Sequence, residues 1–204
     1  MVNMILKNDD VFHFKEEPSP SPKMFTVNTL GPKGTSSEYA AKHFISQSTT
    51  TLGTHTKLSL YDTFETCIEH TLSQPLQFTL VPHAYEGIKH FYMRPDLQLL
   101  QIFRCDTPMY GLAVRPDFPF HEQMLHHLKI VSHPAPVNLI QYFIHQNAEF
   151  ELVNSTSTAA QKVRDGEFDF ALTNEVARAT YGLIFIRTFK SIPMSWSIFG
   201  KGEI

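Results

Sequence analysis

The chain has 204 residues, 42% of them hydrophobic, and 17 Lys and Arg against 20 Asp and Glu give a formal charge of −3. That is enough apolar material for one compact unit or two small lobes, and the balance excludes non-specific nucleic-acid binding, which needs a basic excess, while leaving room for a local cationic pocket. Two cysteines, Cys67 and Cys105, no bilayer-length apolar run and no secretory-signal layout point to a cytoplasmic protein with reduced thiols and no membrane partner.

Residues 1–23 alternate charges and end in Pro18-Ser19-Pro20-Ser21-Pro22, which predicts an extended, mobile leader, with the folded part starting near Met24. Lys23 to Leu30 reads as a strand, followed by a Gly-rich turn and a helix over Glu38 to Ile45. A second helix is expected over Leu60 to Leu72. Strands follow at Phe78 to Val81, Leu97 to Phe103, Met109 to Val114 and Leu128 to Ser132. Then come a helix over Val137 to His145, a strand at Phe150 to Val153 and a helix over Thr156 to Arg164. Asp169 to Thr173 reads as a strand, and a helix over Glu175 to Tyr181 stops at Gly182, a left-handed cap position. Short strands at Ile184 to Thr188 and Trp196 to Phe199 close the series. Strands alternating with helices predict an α/β fold with mainly parallel pairing.

Three helix starts share a chemistry suited to anions. Gly31-Pro32-Lys33-Gly34-Thr35-Ser36-Ser37-Glu38 has Thr35 and Glu38 at capping-box spacing, with the glycines supplying the turn. Ser155-Thr156-Ser157-Thr158-Ala159-Ala160 is a hydroxyl-rich entry, and Ser132-His133-Pro134 follows a strand. A helix start presents free N–H groups and partial positive charge, which suits a carboxylate. Taken singly, such hydroxyls are more often caps than ligands. His121, His126 and His127 lack zinc-ligand spacing and read as surface residues, so no metal is expected.

These segments resemble the catalytic domain of prephenate dehydratases. Gly31-Pro32-Lys33-Gly34-Thr35, Ser132-His133-Pro134, Ser155 to Ala160 and Tyr181-Gly182-Leu183 match four motifs of that family in order, from about Met24 onward. The resemblance implies a two-lobed, periplasmic-binding-protein-like α/β fold with a cleft. One lobe would take about 24–103 plus 185–204 and the other about 107–184, with no regulatory ACT domain and no feedback control by phenylalanine. Two departures stand out. The dehydratase Thr-Arg-Phe falls where this chain has Met194-Ser195-Trp196, and the Glu-Asn-Ser that follows Val81-Pro82 is replaced by His83-Ala84-Tyr85, ahead of Glu86-Gly87. In the family that Thr is assigned as the proton donor to the departing hydroxyl, and a thioether cannot donate a proton. The stretches His83 to Asp96 and Ser191 to Ser197 are similar to a narrower group, the prephenate decarboxylases that open the bacilysin (anticapsin) and related pathways. The resemblance then implies non-aromatising decarboxylation of prephenate, without metal or cofactor.

That chemistry asks for a clamp on the pyruvyl carboxylate, a poorly hydrated seat for the ring carboxylate, and one acid facing ring carbon. Arg94 and Arg104 flank a strand and suit a carboxylate clamp, against a surface salt bridge as the plainer reading. His83, Tyr85 or Glu86 could supply the acid, with hydrogen-bonding or structural roles as the alternatives. The helix starts offer Thr35, Ser36, Ser132, His133, Ser155, Thr156 and Ser157 to the substrate. Ser195 and Trp196 are candidates for the pocket wall, although Trp196 and Phe91-Tyr92-Met93 also suit a core. Lys89 reads as solvated. Two other functions stay open: a residual dehydratase using Ser195, or a non-catalytic ligand-binding module. A homodimer is one option for assembly.

Overall fold

The computed structural model describes residues 4–5, 13–14, 24–52, 55–145 and 148–202. The expected leader falls mostly outside the described residues. Within it, β1 (Met4–Ile5) pairs antiparallel with β2 (His13–Phe14).

The chain divides into two units. One holds Met1–Leu30, Ala40–Asp106 and Pro193–Ile204, and the other Gly31–Tyr39 and Thr107–Ile192. In chain order the elements are β3 (Phe25–Leu30), α1 (Ser36–Leu52), β4 (Thr56–Tyr61), α2 (Phe64–Ser73), β5 (Gln77–Pro82), α3 (Ile88–Tyr92) and β6 (Leu97–Arg104). There follow β7 (Tyr110–Val114), a 3-10 turn (Glu122–His127), β8 (Leu128–Ser132), α4 (Asn138–Ile144), β9 (Ala148–Leu152), α5 (Thr156–Arg164), β10 (Phe170–Asn174), α6 (Glu175–Thr180), β11 (Ile184–Thr188) and β12 (Ser195–Lys201).

The first unit's sheet has the order β4-β3-β5-β12-β6. β3 pairs parallel with β4 and β5, whereas β12 runs antiparallel to both β5 and β6. One face packs Val27, Leu80, Trp196 and Ile198 against Ala40 and Ala41 of α1. The other packs Val81, Leu97 and Phe199 against Phe64 and Ile68 of α2 and Phe91 of α3. The alternation of inward side chains along each strand requires this two-sided burial.

In the second unit the order is β11-β7-β10-β8-β9. β8 pairs parallel with β9 and β10, and β7 runs antiparallel to β10 and β11. The expected mainly parallel pairing is therefore corrected to mixed sheets. β7 and β12 each run antiparallel to both of their neighbours and are entered without a crossover helix, whereas α6 carries the chain from β10 to β11 on the far side of β7.

Two further expectations change. The helix expected over Leu60 to Leu72 is β4 followed by α2. The strand ends at Tyr61, and Thr63 caps the helix, its hydroxyl accepting the Thr66 N–H at 3.1 Å. The boundary expected at about 185 lies instead between Ile192 and Pro193, because β11 pairs with β7. Gly31–Tyr39 likewise belong with the second unit. Gly182 stops α6 as anticipated, at φ +67, with the Leu183 N–H bonded back to the Arg178 carbonyl at 2.9 Å. Among the described residues no helix is long and apolar enough to cross a membrane.

Candidate active site

In the second unit, the C-terminal ends of β8 and β10 and the loop after β9 carry Ser132-His133, Asn174 and Ser155–Ser157. This is the edge where open α/β sheets bind ligands. Most of the hydroxyls there are already engaged. Ser155 caps α5 by accepting the Thr158 N–H at 2.9 Å. Thr156 Oγ1 accepts from Asn174 Nδ2 at 3.2 Å, and the same amide donates to the Gly34 carbonyl at 3.1 Å. Asn174 Oδ1 caps α6 by accepting the Ala177 N–H at 2.9 Å. Ser157 Oγ donates to the Lys33 carbonyl. These bonds hold the loop before α1 onto the starts of α5 and α6. Gly34 fits there at φ +93, where a Cβ would lie 2.9 Å from Ser157 Oγ and 3.1 Å from Ala177 Cα.

The capping box at α1 forms. Thr35 Oγ1 accepts the Glu38 N–H at 3.1 Å, and the Glu38 carboxylate accepts the Gly34 N–H at 2.5 Å. Half-buried Ser36 places Oγ 3.5 Å from the hydroxyl of buried Tyr110, whose pKa burial raises. Ser132 Oγ donates to the His133 carbonyl at 2.8 Å, and His133 Nδ1 accepts the Ala135 N–H at 3.2 Å. Burial lowers the His133 pKa, which favours the neutral ring.

In the first unit, His83 follows β5 and its N–H donates to the Ser195 carbonyl at 2.9 Å. Its Nε2 lies 2.7 Å from Ser197 Oγ and 3.3 Å from the Tyr92 hydroxyl, and those two hydroxyls are 2.9 Å apart. Ser197 pairs with Val81 in register, so this cluster shares the sheet face covered by α2 and α3. Met194 packs on the other face, against the Trp196 cluster. His83 and the Met194 segment therefore meet through the backbone, not through facing side chains.

Tyr85 donates its hydroxyl to the Glu65 carboxylate at 2.7 Å, and its ring lies against Phe64 and Phe91. Burial first, and then the Glu65 carboxylate, push its phenol up to about 12. That makes it a poor acid near neutrality. Glu86 is exposed. Arg94 makes two bonds to Asp96, at 2.8 and 2.6 Å, and is spent on that exposed pair. Arg104, the register partner of half-buried Ser195, is exposed and has no ion pair or side-chain acceptor among the described residues. Trp196 is 1% exposed and donates Nε1–H to the Cys105 carbonyl at 2.8 Å. It packs in the core cluster with Val27, Leu80 and Ile198.

Five residues of these edges escaped the sequence reading: Glu65, Tyr92, Tyr110, Asn174 and Ser197. Asn174 had a usable signal, an Asn between strand and helix. The others depend on contacts between distant segments. Among the described residues no group of three or more His, Cys, Asp or Glu is arranged to hold a metal ion.

The architecture is that of the prephenate dehydratase and periplasmic-binding class. The prephenate dehydratase from Staphylococcus aureus subsp. aureus Mu50 superposes with a TM-score of 0.64 at 16% identity, covering 88% of this chain and 67% of that one. The periplasmic VFT2 domain of Bordetella pertussis BvgS superposes with a TM-score of 0.53 at 14% identity, covering 87% and 80%. No family model matches the sequence. Curated relatives are far more similar. The prephenate decarboxylase of Bacillus subtilis (strain 168) is 66% identical over 196 residues, 96% of each chain. That of Planktothrix agardhii (strain NIVA-CYA 126/8) is 43% identical over 192 residues, 90% of this chain and 92% of its own. The chain belongs to the prephenate decarboxylase family.

Proposed function

We propose that the protein decarboxylates prephenate without aromatising its ring, giving a hydroxycyclohexadienyl oxopropanoate. The observation that carries this reading is the 66% identity to a curated prephenate decarboxylase across 96% of both chains. The chemistry follows from the substrate. The bond from ring carbon to carboxylate breaks and carbon dioxide leaves. Its electron pair becomes a double bond to the neighbouring ring carbon, and the displaced alkene pair takes one proton at its far carbon. The ring hydroxyl stays, and two conjugated ring double bonds remain.

An acid must therefore reach ring carbon, and none may serve the hydroxyl. Met194 answers the second demand, since a thioether has no proton to give. For the first, His83 is the favoured group, because Tyr85 is held by Glu65. Its imidazole is oriented by Ser197 and Tyr92. Arg104 supplies a cation not used by a protein carboxylate among the described residues. The same reading puts the protein in the cytoplasm, consistent with two free, buried cysteines, and at the first step toward anticapsin and bacilysin.

Prephenate incubated with the protein is followed by ultraviolet absorbance, NMR and carbon dioxide release. The expected product keeps its hydroxyl and shows a conjugated diene. Phenylpyruvate as the main enzymic product would refute the proposal.

A further inference from the structure

Among the described residues, the buried Tyr110 hydroxyl of the second unit has one side-chain partner, Ser36, and that contact is long. Tyr110 is 8% exposed, and its hydroxyl lies 3.5 Å from Ser36 Oγ. An O–H···O bond spans about 2.5–3.0 Å, so the two face each other across a gap. The backbone that carries the ring is held on both sides. Tyr110 pairs with Asn174 in register, its N–H donates to the Lys190 carbonyl at 3.0 Å, and its carbonyl accepts the Phe189 N–H at 2.8 Å.

Ser36 is the first residue of the 17-residue helix α1. Two amides at this end are already served: Glu38 N–H by Thr35 Oγ1, and Gly34 N–H by the Glu38 carboxylate. The amides of Ser36 and Ser37 have no acceptor among the described residues. A buried phenol, a serine hydroxyl and the first turn of a helix bring several donors together, and among the described residues the two hydroxyls have only each other, at 3.5 Å, as side-chain acceptors. That set calls for an anion.

Resting on the proposed reaction, we infer that Tyr110 and Ser36 hold the side-chain carboxylate of prephenate, the one that survives the reaction. An oxygen seated between the two hydroxyls accepts from both at normal length. The ring carboxylate is the wrong occupant. It loses its charge as carbon dioxide leaves, so each donor on it would stabilise the ground state more than the transition state. The 2-oxo acid carboxylate stays charged throughout, and donors there bind substrate and transition state equally. A phenol is protonated at neutral pH, so Tyr110 is available as a donor there.

Phenylpyruvate, which has this carboxylate and no ring carboxylate, is titrated by calorimetry into wild type, Tyr110→Phe and Ser36→Ala. Prephenate kinetics are measured alongside. Losing a hydrogen bond to a charged group weakens binding on the order of 10- to 100-fold. That loss is expected for phenylpyruvate in Tyr110→Phe, with an equal rise in KM for prephenate and kcat little changed. Ser36→Ala shows the same pattern to a smaller extent and decides the matter if Tyr110→Phe does not fold. The methyl ester of phenylpyruvate, whose carboxylate is neutralised, should bind wild type and variants alike, which separates a direct contact from general loosening. The inference is overturned by unchanged phenylpyruvate affinity in both variants, by no phenylpyruvate binding to wild type, by equal losses for acid and ester, or by an effect on kcat alone. If wild type releases no carbon dioxide from prephenate, the proposed reaction falls, while the phenylpyruvate titration still decides the carboxylate seat.

Discussion

Gly34→Ala strikes the loop that joins the helix starts of the second unit, and its cost can be worked out from the geometry. At φ +93 an L side chain is strained by roughly 1–2 kcal/mol. The added Cβ would then lie 2.9 Å from Ser157 Oγ and 3.1 Å from Ala177 Cα. Ser157 cannot swing aside without leaving the Lys33 carbonyl, and the Ala177 backbone sits in the first turns of α6 behind the Asn174 cap. Overpacking of this kind costs about 1–3 kcal/mol. Gly166→Ala is the internal control. Gly166 has φ +80, but a Cβ there meets nothing within 4 Å, so only the backbone strain applies. The entropy that alanine removes from the unfolded chain is common to both variants and cancels. Urea unfolding with unchanged m-values should therefore show Gly34→Ala less stable than Gly166→Ala by about 1–3 kcal/mol. Its kcat/KM for prephenate should also fall, because Ser36 moves with the loop. Equal stability of the two variants would show that the Ser157 and Ala177 contacts do not constrain Gly34, and the reasoning would fail.

His83→Gln should slow carbon dioxide release about 10²–10⁴-fold if His83 delivers the proton, whereas Tyr85→Phe stays near wild type; the reverse ranking in a steady-state assay would move the donor to Tyr85. Arg104→Ala should lower kcat/KM for prephenate, corresponding to loss of a charge-assisted bond of about 1.5–3 kcal/mol. Arg94→Ala should have little effect, since its guanidinium is already paired with Asp96, and equal losses in the two variants would contradict this. Burial holds the His133 pKa below its unfolded value of 6.5, so the unfolded chain takes up a proton first as pH falls. The stability contribution is thus present above about pH 6.5 and lost on acidification below it, and His133→Gln should flatten the fall of the urea midpoint between pH 7.5 and 5.5.

Much of the fold was legible because local signals agreed. Leu128–Ser132, Thr156–Arg164 and Ile184–Thr188 have the bounds that period, caps and Gly182 predict. The edge strand Thr56–Tyr61 was not legible. It is half-buried with β3 as its neighbour, and its apolar residues Leu58 and Leu60 run on into the helical pattern of α2. Pairing direction was misjudged because β12 returns to its sheet only after the whole second unit has been built, and no local pattern records that. At the site, the capping box of Thr35 and Glu38 was readable at its spacing, as was the helix entry at Ser155. The partners that decide chemistry were not. Glu65 holding Tyr85, Ser197 meeting His83 and Tyr92, and Tyr110 facing Ser36 are each contacts across long sequence separation. Arg94 looked like a clamp, but Asp96, two residues on, occupies its Nε and Nη2 edge.

The place of β12 bears on how the protein comes off the ribosome. β6 has β12 as its neighbour in the sheet, and β12 also separates it from β5. When Arg104 has emerged, β6 has no strand to pair with and β5 is an open edge, and both stay so through synthesis of everything up to Ser195. The second unit, by contrast, has all its strands once Thr188 is out. The unit begun earlier is thus finished later, and a nascent chain stalled before Ser195 would present an unpaired strand, Leu97–Arg104, to its neighbours.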